Sequence, residues 1–180
     1  MKNDGDMNLD EQLAGRMQGV VVVMGIGNPL RGDDAAGSLV ARRIVAPPVA
    51  CVIDAQDVPE NYLPLVVNQL PNTVVLVDSV NMDSAPGSVA LLDRDQIAGY
   101  WPSTHRAPLS LLMGILEHET RARVFAIGIQ PVHMEFLRPM SDSVTTGVAH
   151  VVGMLNRALA ASRASGHGVA AGSLRGELSA

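Results

Sequence analysis

The chain has 180 residues, enough for one domain with a sizeable core. Apolar residues make up 47% and charged residues 17%, which is a globular rather than a disordered composition, and with aromatics at 3% the interior must be filled by Ala, Val, Leu, Ile and nine Met. A formal net charge of −5, with no block of Lys or Arg, argues against a grip on nucleic acid or on an anionic membrane.

Residues 1–18 are polar and read as a frayed extension, with acids in MKNDGDMNLDEQ where a signal peptide would need an apolar core. Val20–Gly25 is a continuous, mostly β-branched run that predicts a buried strand. Gly27 to Gly32 form a loop, and Asp33 or Asp34 then opens a helix reaching about Val45, before Pro47 and Pro48 stop it. A second strand is expected at Cys51–Ala55, a helix from Glu60 to Gln69 and a third strand at Thr73–Ser79. A turn at Pro86–Gly87 leads to an edge strand, Ser88–Leu92. After a loop, Pro108 suits the first position of a helix ending near Thr120, followed by a fifth strand at Val124–Ile129 and a final amphipathic helix, Ser141–Ala160. Residues 161–180 are Ala/Gly/Ser-rich and read as a mobile tail, which leaves 19–160 as a single domain. No stretch approaches the roughly 18 consecutive apolar residues of a membrane span. The expected compartment is the cytoplasm.

Strands alternating with helices predict an α/β three-layer sandwich: about five strands in a mostly parallel twisted sheet, with helices on both faces. In such sheets the reactive crevice lies beyond the carboxyl ends of the strands. Asp34 follows the first strand, Asp78 ends the third, and His105 lies in the loop after the fourth.

Each of these residues also has a plain structural reading. Adjacent acids at a helix start usually cap it, and neighbouring helical side chains point about 100° apart, so one can cap while the other faces the crevice; spacing does not say which. Asp78 ends the apolar run TVVLVDS, where a carboxylate is costly unless paired, metal-bound or at the solvent edge. A loop histidine such as His105 is more often decoration than ligand. Together, two carboxylates and an imidazole at three strand ends make an open metal site suited to a divalent transition metal such as nickel or zinc.

Other chemistries fit less well. Gly25–Leu30 resembles a dinucleotide loop, with Asp54 as a ribose-binding acid. But Leu30 stands where a third glycine belongs, Pro29 lacks an amide donor, and Asp33 and Asp34 bring negative charge to the place for pyrophosphate. There is no HExxH and no GxSxG. Cys51, the sole cysteine, excludes an internal disulfide and reads as a buried structural thiol. His118, His150 and His167 are assigned no chemistry.

The strings GIGNPLRGDDAAG, VIDAQDVPEN, VVLVDSVNMDSAPGSV, STHRAPL and FAIGIQP, in that order over about residues 20 to 158, resemble the hydrogenase maturation endopeptidases, in particular the hydrogenase 3-type branch. The resemblance implies a compact α/β peptidase. Its members remove a short C-terminal extension from the nickel–iron hydrogenase large-subunit precursor once nickel is inserted. It maps the family's metal-contacting residues onto Asp34, Asp78 and His105, and so selects Asp34 over Asp33. It further implies no permanent cofactor, with nickel arriving on the precursor. Ala35 departs from the family's usual glycine, and His133 has no functional counterpart. A non-catalytic nickel-binding assembly factor and a nucleotide-binding domain are the competing readings.

Overall fold

The computed structural model describes residues 8–45, 47–48, 50–98 and 108–165. Five strands form one sheet: β1 (Val21–Ile26), β2 (Ala50–Gln56), β3 (Thr73–Ser79), β4 (Val89–Leu92) and β5 (Arg123–Ile129), in the order β2-β1-β3-β5-β4. All neighbours run parallel except β4, an edge strand antiparallel to β5. The β1 and β3 runs are apolar almost throughout because both strands are buried along their whole length, covered on both faces.

Side-chain alternation divides the core in two. Val21 and Val23 point to one face, toward Leu13, Val40 and the apolar stripe of the last helix; Val22, Met24 and Ile26 point to the other, toward Val66, Leu112 and Leu116. The first face carries α1 (Leu9–Arg16), α2 (Ala36–Arg43) and α6 (Asp142–Ser165). The second carries α3 (Leu63–Asn68), α4 (Arg94–Ala98) and α5 (Leu109–Thr120). The expected three-layer α/β architecture is the observed one.

Local differences have local causes. The segment after Gly32 is one 3₁₀ turn, Gly32–Ala35, before α2 begins at Ala36, and neither Asp33 nor Asp34 caps it, because both carboxylates are held by other parts of the fold. The helix expected over 60–69 likewise splits into a 3₁₀ turn, Pro59–Tyr62, and α3. Pro108 occupies the cap position rather than the first helical one. The N-terminal segment, read as frayed, forms α1 from Leu9. Asn8 and Glu11 make a reciprocal capping box, and Leu13 is fully buried against the core. Residues 94–98, read as loop, form α4. Helix α6 runs five residues past the expected end at Ala160, to Ser165.

The strand order reverses between β2-β1 and β3-β5, so the chain leaves the carboxyl ends of β1 and β3 in diverging directions and opens a crevice there. The parallel register of β1 and β3 brings those ends level, with Gly25 beside Val77. A bulge between Gly25 and Ile26 accents the end of β1. Helix α2 lies close over this point because Gly25 and Gly37 lack side chains: a Cβ on Gly25 would strike the Gly37 carbonyl, and one on Gly37 the Val77 carbonyl.

Candidate active site

After β1 the backbone turns through Gly27, whose φ of 140° is open only to glycine and whose Cβ position is filled by the Asp34 carbonyl. Its N–H donates to the Gln56 carbonyl (2.8 Å), tying the loop to the end of β2. Asn28 shapes the rest of the loop. Its Oδ1 accepts from Leu30 N (2.9 Å), its Nδ2 donates to Asp57 (3.1 Å), and its own N–H donates to Asp34 Oδ2 (3.2 Å). The loop therefore orients the Asp34 carboxylate, which is almost wholly buried.

Asp33 serves another purpose. Its Oδ2 accepts from Val132 N (2.8 Å), His133 N (3.1 Å) and Ser141 Oγ (3.0 Å), and its Oδ1 from Ser141 N (2.7 Å). Burial pushes this carboxyl up, but the Ser141, Val132 and His133 amides and the Ser141 hydroxyl outweigh it and hold the group below its ordinary range. Asp33 thus fastens the loop between β5 and α6 to the turn that carries Asp34. Spacing left the two acids' roles open; the tertiary contacts separate them.

Asp78 is fully buried at the end of β3, with Oδ1 accepting from Ser79 N (2.8 Å). The Ser79 hydroxyl donates to the Asp33 carbonyl (2.5 Å). Asp34 and Asp78 flank that single tie, each next in sequence to one of the bonded residues, at the crevice between β1 and β3. His105 lies outside the described residues. Among the described residues, no group of three or more His, Cys, Asp or Glu side chains is placed to hold a metal ion.

Two contributors were not read from the sequence. Gln130, in the GIQP string, accepts from Met82 N (2.7 Å) and donates to Asn81 (3.0 Å), fastening the end of β5 to the segment after β3. His133 lies against Gly32, where a Cβ would stand 2.7 Å from its Nδ1, a buried atom without a hydrogen-bond partner among the described residues. The periodicity of strands and helices carries no signal for either, since both act through loop backbone.

The remaining candidates are accounted for by packing. Asp54, the acid a nucleotide reading needs, accepts from Ser38 Oγ (2.7 Å) and Arg42 Nε (2.6 Å). Cys51 is half-buried on β2, where burial pushes its thiol up, away from the nucleophilic thiolate. His118 and His150 are exposed on helices, and His167 lies outside the described residues.

A family model, HycI hydrogenase maturation protease, matches residues 36–158, a stretch that contains Asp78 and His105 and begins just beyond Asp34. The hydrogenase 3 maturation protease of Escherichia coli K12 is 33% identical over 133 residues, covering 72% of this chain and 85% of the relative. A putative hydrogenase maturation protease of Methanocaldococcus jannaschii is 31% identical over 134 residues, covering 69% and 79%. The crystal structure of a nickel–iron hydrogenase maturation protease from Thermococcus kodakarensis superposes with a TM-score of 0.75 at 27% identity, covering 84% of this chain and 98% of that one. Matched by the family model over more than half of its length, and by relatives above 30% identity over more than two thirds of it, this chain belongs to the hydrogenase maturation protease family.

Proposed function

We propose that this protein is an endopeptidase that removes the C-terminal extension of a nickel–iron hydrogenase large-subunit precursor after nickel has been inserted, with Asp34, Asp78 and His105 as the residues that meet the metal carried by the precursor. The observation that supports it most is the pair of buried carboxylates, Asp78 at the carboxyl end of β3 and Asp34 on the turn that follows β1, each next in sequence to a residue of the Ser79–Asp33 hydrogen bond. Carboxylate oxygens are ligands suited to a divalent metal, and on this reading nickel held by the precursor meets them during docking. The metal polarises the scissile carbonyl or activates water; alternatively an ionised carboxylate acts as general base and nickel serves only as a recognition mark. On either route cleavage depends on metal insertion. No helix among the described residues is long and apolar enough to cross a membrane, and this reading places the reaction in the cytoplasm.

Mass spectrometry of the precursor after mixing provides the test. Nickel-loaded precursor should shorten and nickel-free precursor should not; equal cleavage of both would reject the gating. His105→Ala should abolish cleavage with the fold retained, and cleavage at the normal rate would remove His105 from the site. If the nickel-loaded precursor binds but is never shortened, the protein is an assembly factor instead.

A further inference from the structure

The loop between β5 and α6 is more than a connection. Val132 is 54% exposed, Phe136 59% and Leu137 72%, and Leu30, 54% exposed, joins them because its carbonyl accepts from Leu137 N (2.7 Å). Scattered exposed apolar side chains need no explanation, but four on two segments bound to each other form a surface.

That surface is built rather than loose. Asp33 holds the loop at Val132, His133 and Ser141, and Arg138 pairs with Glu135 (2.6 Å). Leu137 sits in the left-handed region at φ 59°, which a bulky side chain adopts at a cost and which concentrates at functional positions. Next to Leu30 in the chain stands Arg31, half-buried; among the described residues its buried Nε has no hydrogen-bond partner and its guanidinium no ion pair. Arg43, Arg121 and Arg123 are likewise outside any such ion pair, but they are exposed to water. A partly desolvated cation beside an apolar patch is complementary to an apolar segment bearing a carboxylate. The patch is also continuous with the crevice, since the Arg31 carbonyl accepts the Asp34 N–H and Arg31 precedes the turn that carries Asp34.

We infer that Leu30, Arg31, Val132, Phe136 and Leu137 form the docking surface for the precursor, receiving an apolar segment of it with an adjacent carboxylate. This rests on the processing reading above and adds where the precursor is gripped outside the reacting groups. Aromatic and arginine side chains carry most of the binding in such contacts, so Phe136 and Arg31 are its anchors.

The test measures both binding of purified nickel-loaded precursor and its cleavage, for the full chain and for Phe136→Ala, Arg31→Ala and a distant exposed control, Val45→Ser, each checked for an unchanged melting temperature. Phe136→Ala and Arg31→Ala should each weaken binding and raise KM about tenfold, with kcat within twofold, while the control stays at the wild-type values. Reversing the charge in Arg31→Glu should weaken binding further than Arg31→Ala. Wild-type binding and KM in both folded anchor variants would overturn the inference. So would wild-type dimers, by sedimentation, that the anchor variants break without any change in KM, since the patch would then join two copies of this chain. If the wild type binds precursor without shortening it and the anchor variants still lose binding, the processing reading falls and the docking surface stands.

Discussion

Removing the Asp33 carboxylate would leave the amides of Val132, His133 and Ser141 without the acceptor they share. Asp33→Ala should therefore destabilise the protein by about 2–4 kcal/mol, measured by urea unfolding, because partly buried donors lose their partners. The pH dependence has a definite sign. The folded carboxyl is held below its ordinary value, so its stabilisation is fully present above about pH 4, the unfolded carboxyl's range, and is lost as pH falls through the lower folded value. The stability difference between wild type and Asp33→Asn should accordingly be level near neutrality and shrink below about pH 4; a constant difference down to pH 2 would contradict the assignment. Asp34→Asn keeps the shape of the side chain and its carbonyl acceptor for Asn28 N. It should fold normally and lose cleavage of nickel-loaded precursor by at least about a hundredfold, the usual scale for deleting an acid–base or metal-contacting group.

At the level of elements, the crevice depends on how closely α2 lies over β1 and β3. Gly37→Ala would drive a methyl into the Val77 and Ile26 carbonyls, and Gly25→Ala one into the Gly37 carbonyl and Ala41 Cβ. Each should lower stability by about 1–3 kcal/mol, read as a fall in melting temperature, because backbone rather than a flexible side chain must move. Helix α1 makes a different prediction. Leu13 is fully buried, so Leu13→Ala should cost about 2–5 kcal/mol in chemical denaturation. A mutation in a segment that reads as frayed would have no such effect.

For the molecule as a whole, the consequence that matters is metal traffic. If nickel arrives on the precursor, dialysis of the protein against a chelator should leave its cleavage of nickel-loaded precursor unchanged after the chelator is removed. Restoration of activity only by added nickel would instead identify a resident metal. The strands and layers behind this behaviour were legible from the chain, since apolar runs such as VVVVMG and TVVLVDS, spaced by helical patterns, leave few arrangements beyond a parallel sheet covered on both faces. Helix α1 was not legible, because a polar segment of eight residues shows its single fully buried side chain, Leu13, only when the core that receives it is present.

By itself the sequence determined the α/β class and the positions of all five strands, because period and β-branched composition are local properties of the chain. Only the tertiary structure decided that Asp33 is bound into the loop between β5 and α6. A carboxylate's role is set by the donors that reach it, and those on Asp33 come from residues about a hundred positions away, a distance that spacing along the chain cannot register.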